Sequence, residues 1–148
     1  MRLLLGSKVR ERGRRVGSLA GFELESASLA VRRIIVSADG DLGSHALTRP
    51  VQAVSSIHDD GEIELGEASI EGIAAVSDVV LVSRATRLRH HGRARGRVVG
   101  LDLDASSRRV KALFGRLHWW SPRFEVPATG ADLSTPGEIQ FDGGTQAA

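Results

Sequence analysis

Residues 79 positions apart repeat one another along this chain without a gap. Gly13, Gly17 and Gly21 recur as Gly92, Gly96 and Gly100 (92 − 13 = 96 − 17 = 100 − 21 = 79), and at the same offset Arg10 meets Arg89, Arg14 meets Arg93, Leu24 meets Leu103 and Val31 meets Val110. Further along the register slips: Pro50 finds Pro127 (127 − 50 = 77), and Gly61-Glu62-Ile63 finds Gly137-Glu138-Ile139 (137 − 61 = 76). Two copies of one unit therefore fill the 148 residues. Glycine recurs where backbone geometry forbids a side chain, so the doubled object is a scaffold with fixed bends. A unit of about 70 residues buries too little surface to stand comfortably alone, and the two are expected to lean on each other.

Each copy reads as short strands punctuated by turns. In the first, residues 3–10, 16–24 and 31–36 are extended, with Ile34 and Ile35 in a β-branched run that suits burial. Asp39-Gly40-Asp41 and Asp59-Asp60-Gly61 are turn signals, and Glu62-Ile63-Glu64-Leu65 alternates as a half-buried strand does. Gly21 and Gly100 fall inside strand patterns and mark a bulge or sharp bend in both copies. The second copy repeats the plan through Val79-Val80-Leu81-Val82, Leu88, 98–103, 110–114, 117–120, 124–127 and 138–141. The organisation expected is a first repeat over 1–66, a linker over 67–78 with apolar residues at helical spacing, a second repeat over 79–142 and a frayed tail over 143–148.

The framework Gly6-Ser7-Lys8-Val9, Gly13, Val16-Gly17-Ser18-Leu19, Leu47 and Pro50, repeated as Thr86, Leu88, Gly92, Gly96, Val98, Phe124 and Pro127, resembles the PRC-barrel family. That family includes the cytoplasmic domain of the photosynthetic reaction-centre H subunit and the C-terminal domain of the bacterial ribosome maturation factor. The resemblance implies an all-β protein of two tandem PRC-like barrels related by internal pseudo-symmetry. It also implies docking or assembly with a protein partner, with no catalysis and no cofactor.

With no cysteine, the chain has no disulfide, thiolate nucleophile or cysteine zinc site. No apolar run approaches the roughly 20 residues of a membrane-spanning helix, and a cytoplasmic location is expected. The basic residues are almost all arginine, since Lys8 and Lys111 leave 20 − 2 = 18 Arg. Arginine grips carboxylates and phosphates bidentately, which suits an anionic partner. Arg87, Arg89, His91, Arg93, Arg95 and Arg97 alternate around Gly92, and Arg10, Arg12, Arg14 and Arg15 surround Gly13. Two basic hairpins of this kind would hold RNA phosphates. The competing reading pairs these arginines with Glu23, Glu25, Asp102 and Asp104 on the following strands, and the low aromatic content, 4%, counts against stacking of RNA bases.

Trp119-Trp120 has no counterpart in the first copy. On a strand, adjacent rings face opposite ways, so one would fill the barrel and the other would lie outside near Arg116 or His118. Trp120, His118 and Arg116 are therefore the expected partner contacts, against the alternative that both rings are buried. His90-His91 lacks a third ligand at suitable spacing, Asp102 and Asp104 look like the wet side of a strand, and the glycines four apart match no phosphate-loop motif.

Overall fold

The computed structural model describes residues 1–43, 45–67 and 78–148. The first half contains β1 (Arg2–Leu4), β2 (Lys8–Glu11), β3 (Arg14–Glu25), β4 (Val31–Ser37) and β5 (Leu47–Pro50). A single 3-10 turn, Val51–Ala53, then leads to β6 (Val54–Ile57) and β7 (Ile63–Leu65). The second half contains β8 (Val79–Ser83), β9 (Arg87–His90), β10 (Arg93–Leu103), β11 (Val110–Arg116), β12 (Phe124–Pro127), β13 (Glu138–Phe141) and β14 (Gln146–Ala147). The chain is all-β, with no α-helix among the described residues. The expected helical linker lies almost wholly outside them.

Two seven-stranded sheets result. One runs β5-β4-β3-β2-β7-β6 and the other β13-β9-β10-β11-β12-β14. Within each path the inner hairpin is antiparallel, and one parallel pair, β2 with β7 or β9 with β13, brings the last part of the copy back beside its first hairpin. Among the described residues the two ends of each path do not pair with one another, so the hydrogen-bond ladders are open.

The seventh strand of each sheet comes from the other half. β1 pairs with β10 (Leu3 opposite Leu101, Leu4 opposite Gly100), and β8 pairs with β3 (Val82 opposite Phe22, Ser83 opposite Gly21). The exchange follows the repeat: Leu3 and Val82 are 79 apart, as are Leu4 and Ser83. Length explains it. β3 and β10 are much longer than β2 and β9, which pair only with their first parts, so the same edge is open further on.

Two glycine pairs make this geometry possible. A Cβ on Gly17 would lie 2.4 Å from the Ser37 carbonyl oxygen and one on Gly96 2.1 Å from that of Arg116, and both residues have φ values (+148° and +128°) that L side chains rarely adopt. Gly21 and Gly100, at the predicted bulges, let the visiting strands close in: their Cβ atoms would meet the carbonyls of Val82 at 2.9 Å and Leu3 at 2.7 Å.

A single hydrophobic core serves both halves. Leu3, Leu19, Phe22, Ile34 and Ile63 join Val82, Leu88, Leu101, Leu103 and Ile139 in one cluster. At the far end, residues 143–148, expected to fray, carry β14, which pairs Ala147 with Phe124 and Gln146 with Glu125.

Candidate binding surface on the second half

Ion pairs that recur in both halves belong to the scaffold, and the predicted site residues Arg10 and Arg89 make such pairs. Arg10 pairs with Glu62 at 2.8 Å and Arg89 with Glu138 at 3.1 Å. Each of these arginines also donates to the carbonyl of the glycine in its own turn, Gly13 at 3.5 Å and Gly92 at 3.0 Å. Arg10 and Arg89 thus tie each basic hairpin to the parallel strand beside it. Arg12 has an exposed ion pair with Glu67 at 3.6 Å, and Arg49 grips Glu11 through Nε at 2.8 Å and Nη2 at 3.3 Å. That fork holds the Glu11 carboxyl below its usual range and raises the Arg49 guanidinium.

The carboxylates expected to face the basic turns are engaged elsewhere. Glu23 meets Arg33 at 3.9 Å and Glu25 meets Arg32 at 3.1 Å. Asp102 accepts from the amino terminus at 3.2 Å, with Lys111 at 4.0 Å. Asp104 caps its own turn, where the Ser106 hydroxyl, the Ser107 and Ser106 amides and the Ser107 hydroxyl hold its pKa far below the ordinary value. The reason is topological. Glu23, Glu25 and Asp102 lie beyond the bend of β3 or β10, on the stretch whose neighbour is the exchanged strand, and Asp104 lies just past the end of β10, while the basic turn lies before the bend.

One departure from the repeat is a row of arginines on the second half. Register sets Arg87 opposite Arg97 across β9 and β10, and Arg97 opposite Arg116 across β10 and β11. In the first half the same three positions are Lys8, Ser18 and Ser37, also mutually opposed. Like charges directly opposite one another destabilise a sheet. Among the described residues no carboxylate lies within ion-pair distance of any of the three arginines, and the Nε of Arg116 is buried without a hydrogen-bond partner. Arg93 does not extend this row, because a bulge after Ala94 places Arg93 opposite His90, on the face shared with Leu88. The one-face alternation expected of the hairpin arginines is broken there. Arg95 is the extra residue of that bulge, and Arg14 in the first half stands opposite Glu11.

β11 ends at Arg116, and residues 117–121 leave the sheet in a turn closed by the Ser121 amide on the His118 carbonyl at 3.0 Å. The alternation that would have buried one tryptophan ring does not apply off the strand: Trp119 is 82% exposed, Trp120 66% and neighbouring Leu117 54%. His118 stacks on Trp120 with centroids 4.5 Å apart and planes at 12°, and Trp119 meets Trp120 edge-on at 5.6 Å. Arg116 connects turn and row, because its Nη1 donates to the Trp119 carbonyl at 3.1 Å. The matching turn of the first half is small and acidic. There Asp39 accepts from the Ser37 hydroxyl at 3.2 Å and the Asp41 amide at 3.0 Å, which lowers its pKa.

The structure therefore joins two predicted sets, the Trp120, His118 and Arg116 cluster and part of the arginine hairpin, through Arg97. That residue was visible as one of the alternating arginines, but its place between Arg87 and Arg116 depends on strand register. The 79-residue offset carries the missing signal, since it aligns 87, 97 and 116 with Lys8, Ser18 and Ser37.

Among the described residues no group of three or more His, Cys, Asp or Glu side chains could hold a metal ion. His90 stacks on Phe141 at 5.0 Å, and His91 lies 3.9 Å from Asp142 on the surface. A groove of about 630 Å³ holds the Glu11 and Arg49 pair, so these titratable groups are turned toward each other. No helix among the described residues is long and apolar enough to cross a membrane. No family model matches the chain. A search of curated proteins also finds no match.

Proposed function

We propose that this chain is a non-catalytic binding module, built as two tandem PRC-like barrels, that engages an anionic macromolecular partner through one face of its second half. The barrel reading is supported by the repeated strand order and by bends at equivalent glycines. The binding reading rests on one observation: a row of three mutually opposed arginines, lacking carboxylate partners among the described residues, abuts a turn exposing two tryptophans, where the other half has Lys8, Ser18, Ser37 and an acidic turn. A scaffold needs neither the repulsion nor the exposed rings, since the first half manages without them.

Two partners are expected from the sequence, a protein and an RNA. A protein dock needs only the tryptophan turn as its anchor. The cation row is what a partner rich in anionic groups adds, and low aromatic content ceases to be an objection once both tryptophans stand beside that row.

Both tryptophans of the chain lie in this turn, so their fluorescence reports on the face directly. Titration with polyglutamate, heparin and oligouridine at low salt is expected to perturb the emission with at least one polymer. Replacing the row by its first-half counterparts (Arg87→Lys, Arg97→Ser, Arg116→Ser) is expected to abolish that response while circular dichroism stays unchanged. No response to any of the three polymers would overturn the proposal.

A further inference from the structure

We infer that the partner of this face is a single-stranded nucleic acid, its bases stacked on Trp119 and Trp120 and its phosphates laid across Arg87, Arg97 and Arg116. The inference rests on the binding role proposed above and names the ligand for it.

Three features of the site select this chemistry. First, the cations form a line. Adjacent strands lie about 4.8 Å apart, so the row crosses three strands and spans about 10 Å in even steps. A chain with one negative group per unit fits such a line better than a compact anion does. Second, the cations are all arginines, whose planar fork binds phosphate bidentately.

Third, the row ends at exposed rings. Trp119 touches Trp120 only by an edge, and its high exposure leaves it open to a base. Trp120 has one face covered by His118, so the stack already begun has a free end. Bases are accessible for stacking only where they are unpaired, which selects a single strand over a duplex, and a cationic track beside stacking aromatics is how sequence-tolerant single-strand binders work. An acidic peptide would satisfy the arginines and leave the rings without a matching partner.

The test is fluorescence anisotropy with a labelled oligouridine of about ten nucleotides, competed by polyglutamate and by an RNA duplex of matched charge. Three phosphate contacts give a slope of about −2 in log K against log salt, which is about a twentyfold loss between about 50 and about 200 mM salt. Trp119→Ala with Trp120→Ala is expected to weaken binding at least about tenfold at fixed salt, from the loss of base stacking, and to leave the salt slope unchanged. Arg97→Ser, at an exposed position, is expected to reduce the slope without unfolding the chain. Equal competition by polyglutamate or by the duplex would overturn the single-strand assignment and leave the binding face standing. Absence of binding by all three would overturn both.

Discussion

Ala30 and Arg109 face each other across an isolated antiparallel bridge, and their sequence numbers differ by 79. The bonds around them are reciprocal: the Val31 amide donates to the Arg108 carbonyl at 3.0 Å, and the Val110 amide donates to that of Leu29 at 2.9 Å. Leu29 and Arg108 also share a positive φ, +57° and +60°. A pseudo-twofold axis therefore passes through this bridge, with the exchange of β1 and β8 around it. The arrangement is that of an isologous dimer whose subunits have been fused.

The strand exchange makes the stability of each sheet depend on a residue from the opposite half. Leu3 is fully buried opposite Leu101. Leu3→Ala is expected to cost about 2–5 kcal/mol in chemical denaturation, with protection from hydrogen exchange lost first in β10 and β11. Protection lost instead in β2 and β3 would show that Leu3 stabilises its own half. Val82→Ala is the mirror experiment, with a smaller cost because fewer methyl groups are removed.

The glycine in the hairpin turn and the glycine at the strand bend should respond differently. Gly96→Ala puts a Cβ against the Arg116 carbonyl at a positive φ, and nothing flexible there can yield. The backbone must move or the strand pair must part, so a loss of more than about 3 kcal/mol is expected. Gly92, at φ +76°, has open space where its Cβ would go. Gly92→Ala is expected to cost only the left-handed penalty of about 1–2 kcal/mol, and Gly92→Asn less. Comparable melting temperatures for Gly96→Ala and Gly92→Ala would contradict this account of the bend.

Acid stability follows from four carboxyls held below their ordinary values. Glu11 is lowered chiefly by its hydrogen bond from Arg49, Asp39 by the Asp41 amide, Asp104 by the Ser106 hydroxyl and Asp132 by the Ser134 hydroxyl. A carboxyl whose folded pKa is depressed stabilises the fold fully above its unfolded value and loses that contribution as pH falls through the folded one. The melting temperature should therefore be flat above the ordinary values of 3.8 and 4.5 and decline below them. Asp104→Ala is expected to lower the plateau near neutrality and to make the decline shallower, because its capping contribution is already gone.

The doubled scaffold and its bends were legible because glycine at Gly17 and Gly96 is a steric necessity that the 79-residue repeat exposes. The exchange was not. Leu3 and Val82 announce burial in any strand pattern, but nothing in their own segments says which sheet supplies the cover. The tryptophan pair was legible as an oddity and was misplaced by strand alternation, since the end of β11 at Arg116 is set by a turn hydrogen bond between Ser121 and His118. The arginine row escaped because opposition across strands depends on bulges. The one after Ala94 brings Arg97 opposite Arg87 and turns Arg93 away.

Arg97 is where stability and binding are expected to pull apart. It stands between Arg87 and Arg116 with like charge on both sides. Arg97→Glu converts two repulsive cross-strand pairs into two attractive ones, each pair contributing about 0.2–1 kcal/mol. On this largely exposed surface the sum should be near 1 kcal/mol, or about 3 °C in melting temperature for a chain of this length. The gain should shrink as salt is added, because screening weakens the repulsion in the parent protein. The same substitution places a carboxylate in the middle of the cation row, so oligouridine binding should fall below that of Arg97→Ser. A melting temperature for Arg97→Glu at or below that of the parent at low salt would mean that the three guanidiniums do not repel one another in the folded chain. The row would then be no less comfortable than Lys8, Ser18 and Ser37, and the reason for assigning it a ligand would be gone.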